Sequence, residues 1–326
     1  MAGENSSQVI DSSLSEINGI GCGCAGCQSG PKTAYVDMTS GDVIDGGMDY
    51  APSQTWTKED FESYLSEGYW QATGRSERQW GGDTPHVTYN ISNEYASNDA
   101  QGIRDAFDAW SEMANITFSE VGSGADIRIL EGDGALTAYS SYSTYGGSGD
   151  IVSDTHAQAS HVISVNMYID DGGTTTRTSG PTYGQDMSEY GDYAKSTIIH
   201  EIGHSLGFGH TGNYNGSATY SSDATAYNDT GQYSIMSYFG ETNYGGANFY
   251  GSEASTPMLM DIYAVQQKYG ANMTTRTGDT TYGFNSNAGG AYDFNNHSWV
   301  PVIAIWDAGG TDTLDFSGYS NNQIIN

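Results

Sequence analysis

Cysteine is nearly missing from this chain: Cys22, Cys24 and Cys27 fall within one short stretch and there are no others. A disulfide framework is therefore excluded for the folded body. Basic residues are also scarce, with 10 Lys and Arg against 40 Asp and Glu and a formal net charge of −30. That balance excludes a nucleic-acid backbone and an anionic membrane surface as partners. No run of eighteen apolar residues exists, so no helical membrane span is expected. The start, Met1-Ala2-Gly3-Glu4-Asn5, has neither a basic region nor an apolar core, so no Sec-type signal peptide is expected.

What is present is polar without being charged. Gly numbers 44 and Tyr 25, while charged residues make up 15% of 326. This length predicts one large domain with a smaller piece. Residues 1–50, rich in Ser, Gly and Asp, read as a leader or pro-segment. Residues 51–270 carry helix and strand periodicity. Residues 271–326 turn to short strands and Asp-Gly turns, giving an α+β chain overall. Thr57 and Asp60 resemble a capping box for a helix that Gly68 should stop. A second helix is expected at 99–114, with Ile103, Ala106, Phe107 and Trp110 on its core face. Strands are expected at 86–91, 116–121, 126–130 and 162–169. Thr256 as N-cap with Pro257 at the first helical position should start a last helix that buries Leu259, Ile262, Val265 and Tyr269. Between them, residues 211–232 read as a long polar loop.

The most telling stretch is His200-Glu201-Ile202-Gly203-His204-Ser205-Leu206-Gly207-Phe208-Gly209-His210. On a helix, positions i and i+4 share a face, so His200 and His204 can hold one metal ion. Glu201 stands beside that face, within reach of a water but not as a ligand. His210 needs a turn to join them, and Gly207 permits it. Three nitrogen ligands with one open position are the pattern of a catalytic zinc rather than a structural one. His86, His156, His161 and His297 lack paired spacing and read as non-ligands.

Met236 follows His210 by 26 residues, within Ser234-Ile235-Met236-Ser237-Tyr238-Phe239. This segment resembles the Met-turn of the metzincins, and among them the serralysin family of secreted bacterial zinc proteases, whose version also has a tyrosine two residues after the methionine. The resemblance extends over roughly residues 55–326, through Ala109–Phe118, Leu259–Asn272 and Trp306–Thr313. Departures are mild: Gly209 and Thr211 flank His210 where the family often has serine and proline.

The resemblance implies a metzincin-like catalytic domain followed by the start of a calcium-binding parallel β-roll. It implies a zinc endopeptidase in which Glu201 is the general base, Tyr238 assists the oxyanion and Met236 lies beneath the ligands. It further implies structural calcium shared between Arg276 (through its carbonyl), Gly278 and Thr280 and the loop of Asp307, Gly309 and Asp312, with a further site using Gly310 and Asp312. Protein or peptide substrates, a proteinaceous inhibitor, a monomeric state and export by a C-terminal signal are what the family would lead one to expect. On that expectation the chain is a fragment or trimmed form of a longer secreted protein. Two readings of the leader stay open: Cys22, Cys24 and Cys27 are incidental, or one thiolate occupies the open zinc position and silences a zymogen. Two further function classes also stay open, a calcium-stabilised binding module and a zinc hydrolase acting on a non-peptide substrate.

Overall fold

The computed structural model describes residues 52–321, apart from 53, 76, 83, 132–137, 145–146, 149–159 and 170–185, and gives the backbone alone over 131–185. Residues 50–318 form one compact unit. The leader, with its three cysteines, and His156 lie outside the described residues.

The chain enters through α1 (Lys58–Ser63), where Thr57 and Asp60 close the expected capping box: the Asp60 amide donates to Thr57 Oγ1 and the Thr57 amide donates to Asp60 Oδ2. Gly68 does not stop the helix. The helix widens into a π turn over Tyr64–Gly68 and continues as α2 (Tyr69–Ala72). A Cβ at residue 68 would lie 2.7 Å from the Tyr64 ring, so glycine clears the crowded turn rather than ending it.

A seven-stranded sheet is built from β1 (Arg78–Gln79), β2 (His86–Ile91), β3 (Thr117–Glu120), β4 (Ile127–Glu131), β5 (Ala138–Thr144), β6 (Gly147–Ser148) and β7 (Ser160–Ile169). Its order is β3-β2-β4-β7-β5-β6, with β1 paired to β7. The pairs among β3, β2, β4 and β7 are parallel, whereas β5 runs antiparallel to β7 from Ala138 opposite Ile169. Strand β2 shows why the sheet has one wet face: Val87, Tyr89 and Ile91 are buried and the residues between them are not. The Gly-, Ser- and Tyr-rich stretch over 138–149 supplies β5 and β6, which periodicity did not announce.

Helix α3 (Ser97–Ser111) lays Ile103, Ala106, Phe107 and Trp110 on the sheet, all fully buried. Burial of a large apolar side chain such as Ile103 or Phe107 is worth about 1.5–3 kcal/mol. Trp110 also reaches α4 (Tyr193–Ser205), donating its indole N–H to the Ile199 carbonyl at 3.0 Å. After the single turn of α5 (Tyr220–Asp223), helix α6 (Leu259–Tyr269) begins two residues later than expected, with Met258 at the N-cap position. Thr256 is occupied elsewhere, since its Oγ1 accepts the Ala304 amide at 2.9 Å. Leu259 is 47% exposed rather than buried, whereas Ile262, Val265 and Tyr269 do enter the core.

Beyond α6 the chain stays attached to the same core. Ala271 bridges Ala114, the Trp306 indole donates to the Asn272 carbonyl at 2.9 Å, and Val302 is buried in the main cluster. Two short parallel strands, β8 (Thr281–Gly283) and β9 (Thr313–Asp315), pair in register there. Among the described residues, no helix is long and apolar enough to cross a membrane.

One contact ties the core to the site. A Cβ on Gly203 of α4 would lie 2.6 Å from Met236 Sδ and 3.0 Å from the Trp110 ring. Gly203→Ala should therefore lower the urea-unfolding stability by about 1–3 kcal/mol, the usual cost of overpacking. An unchanged midpoint would contradict the packing described.

Candidate metal centre

Helix α4 is started by Asp192, whose carboxylate accepts the Ala194 amide at 2.8 Å. Ile198, Ile199, Ile202 and Leu206 are fully buried on one side. His200 and His204 project from another. The helix ends at Ser205, and Gly207 turns the chain at φ 91°. Only glycine fits there for a second reason: a Cβ would lie 2.0 Å from the Arg78 carbonyl oxygen. The returning segment is pinned by the Gly209 amide donating to the Leu65 carbonyl at 2.8 Å, which brings His210 beneath the helix.

Each imidazole spends Nδ1 on a backbone carbonyl: His200 on Ile235, His204 on Phe208 and His210 on Tyr214, all at 2.8 Å. A carbonyl only accepts, so Nδ1 carries the proton in all three rings and Nε2 is left with a lone pair. Yet the Nε2 atoms of His204 and His210 stand 3.0 Å apart. Two facing lone pairs repel unless a cation lies between them. Nitrogens about 2.0–2.1 Å from one tetrahedral zinc lie roughly 3.3 Å from each other, so the donor set fits that ion. Among the described residues, His200, His204 and His210 are the group whose ligand atoms, all within 4.8 Å, could share a metal.

Burial holds the rings neutral. His200 is pushed down to about 4 and His210 to about 3, chiefly by desolvation, while His204 falls well below the usual range, with its two neighbours adding to the effect. Glu201 is 5% exposed on the same helix. The Tyr238 ring lies 4.5 Å from that of His210, and its hydroxyl accepts the Gly216 amide at 3.4 Å. Desolvation, with a contribution from Glu201, pushes the Tyr238 phenol up to about 12, so it remains a donor at neutral pH. Met236 is fully buried against Gly203.

The loops nominated for calcium come together as well. Asp312 Oδ1 accepts the Thr280 amide, Asp307 Oδ1 accepts the Gly309 amide, and Tyr282 donates to Asp307 Oδ2. Gly310 packs so closely on the Gly278 carbonyl that a Cβ would stand 2.5 Å away. Arg276 adopts φ 50°, and its guanidinium pairs with Glu112.

Sequence reasoning missed Tyr69, Tyr214, Asp229 and Asp261. Tyr69 sits edge-on to His210 at 5.2 Å and occupies the space a Cβ on Gly209 would need. Asp261 is fully buried and accepts Ser234 Oγ and the Ile235 and Met258 amides, locking the turn before Met236 to α6. No local pattern marks such residues; each acts across a long stretch of chain.

Residues 79–229 match the Matrixin family, and residues 271–326 match the family described as Peptidase M10 serralysin C terminal. Serralysin B of Dickeya chrysanthemi is 34% identical over 93% of this chain and 63% of its own length. Serralysin A of the same organism is 41% identical over 75% and 47%, and Serralysin of Proteus mirabilis 35% over 76% and 48%. The chain belongs to the serralysin-type metzincins. It spans about half to three-fifths of the length of these curated serralysins.

A depressed imidazole favours the folded state above pH 6.5, and this contribution is lost as the pH falls towards 3–4, where the folded protein also binds the proton. In the metal-free serralysin-type chain, imidazole ¹⁵N shifts should thus report neutral rings with protonated Nδ1 at pH 5.5. Protonation of these rings near pH 6.5 would contradict the geometry.

Proposed function

We propose that this chain is the catalytic part of a zinc endopeptidase that hydrolyses peptide bonds in proteins. The observation that carries the reading is the convergence of three Nε2 lone pairs whose Nδ1 protons are already committed. Zinc held by His200, His204 and His210 would supply Lewis acidity, polarising the scissile carbonyl and acidifying water.

The chain's own groups do the rest. Glu201, adjacent to His200 on α4, takes the proton of the attacking water and delivers it to the leaving amine. Its burial keeps bulk water from competing for that proton. Tyr238, kept as a neutral phenol beside His210, donates a hydrogen bond to the oxygen on which charge develops. Met236 fills the space under α4 and so fixes the height of the histidine face. The binding-module alternative has no use for this combination of buried carboxylate, neutral imidazoles and protonated phenol.

Calcium is assigned to the paired loops of residues 276–280 and 307–312, through the carbonyls of Arg276, Gly278, Thr280 and Gly309 and the carboxylates of Asp307 and Asp312. Gly310 with Asp312 would serve a further ion. The ligands assigned are all oxygens, which suits a hard cation. Secretion, expected from the family resemblance, belongs to the same reading.

Casein hydrolysis should be lost with a chelator and restored by zinc. Glu201→Ala should retain stoichiometric zinc while abolishing turnover, and Tyr238→Phe should lower kcat by about 10²–10³. Substantial activity in Glu201→Ala would sink the mechanism.

A further inference from the structure

Asp229 lies in the stretch that reads as a long polar loop, yet it is fully buried. Four donors converge on its carboxylate. Thr211 Oγ1 donates to Oδ1, Ser237 Oγ donates to Oδ1 at 2.7 Å, the Tyr214 hydroxyl lies 3.0 and 3.2 Å from the two oxygens, and the Thr225 amide reaches Oδ2 at 3.4 Å. A buried carboxylate is costly unless it is hydrogen-bonded, and apolar side chains of similar size would fill such a space more cheaply. What distinguishes this carboxylate is which pieces of chain it joins.

Thr211 directly follows His210. Tyr214 accepts the His210 Nδ1 proton on its carbonyl, and its ring stacks on that imidazole at 5.6 Å. Ser237 directly precedes Tyr238, whose ring lies 4.9 Å from Tyr214. One carboxylate thus clamps the loop of the third histidine to the turn that presents the phenol. Proline, which the family often has after the third histidine, brings no side-chain donor. The threonine here adds a strand to the clamp.

We propose that Asp229 is a positioning residue that fixes Tyr238 against His210, so that the phenol and the third imidazole are held as one unit. This rests on the zinc-peptidase reading and adds to it which group sets the phenol's position.

A double-mutant cycle on the zinc-loaded chain tests it, with a fluorogenic peptide for kcat and KM and chelator competition for zinc affinity. Asp229→Asn should lower kcat by about 10–100-fold with KM nearly unchanged and weaken zinc binding by roughly tenfold, the scale seen for groups that orient ligands. In the Tyr238→Phe background the same substitution should cost less than about threefold in kcat, because coupled residues are non-additive. Ser237→Ala, which removes the link from the turn to Asp229 together with the oxygen that accepts the Phe239 amide, should lower kcat and leave zinc affinity intact. That loss too should vanish without the phenol. It carries the test by itself if Asp229→Asn does not fold.

Equal losses with and without the Tyr238 hydroxyl, or wild-type kcat in Ser237→Ala, would overturn the coupling while the peptidase reading stands. A wild-type chain that binds zinc but cleaves no peptide would overturn both.

Discussion

Three short hydrogen bonds from imidazole Nδ1 to backbone carbonyls govern how the rest of this structure must be arranged. Each fixes a tautomer and a ring plane, and together they aim three lone pairs at one point. The carbonyls come from three different places: the turn before Met236, the residue after Gly207, and the loop beyond His210. So the helix alone does not make the site. It is made where α4, the returning loop and the Met-turn meet, and each must sit at its correct height. Outer hydrogen bonds of this kind orient a metal ligand and raise its basicity.

The supports are equally specific. Gly203 lets Met236 and Trp110 approach α4 closely, and Gly209 does the same for Tyr69. Two fully buried aspartates, Asp261 and Asp229, tie the Met-turn to α6 and to the third-histidine loop. Taking these carboxylates out of water is expensive, and the cost is offset by three or four donors each. Polar, tightly satisfied packing around an apolar floor distinguishes this region from the sheet and α3, which are held by ordinary burial.

Local periodicity carried much of this. The stripe of Ile103, Ala106, Phe107 and Trp110, the spacing of His200, Glu201 and His204, and the glycine at 207 are all readable because their partners lie within a turn or two along the chain. Where the deciding partner is distant, the reading failed. Gly68 looked like a stop, but it clears a π turn that leaves the Leu65 carbonyl for Gly209. Thr256 looked like an N-cap, but Ala304 claims its hydroxyl. Residues 211–232 read as a long polar loop and are mostly loop, yet Thr211, Asn228, Asp229 and Thr230 within it are buried. At Thr211, Asn228 and Asp229 that polarity serves internal hydrogen bonds, and no pattern within the stretch marks which residues do so. The departures at Gly209 and Thr211 carried a signal after all, since each matches a partner, Tyr69 and Asp229, that only the fold reveals.

The central claim is that the three imidazole nitrogens of His200, His204 and His210 hold one zinc. Zinc K-edge X-ray absorption on the full chain with stoichiometric metal addresses it directly. The account predicts three imidazoles through Nε2 with nitrogen distances of about 2.0–2.1 Å and one light oxygen ligand. Fewer than three imidazoles, whatever occupies the fourth position, would contradict it.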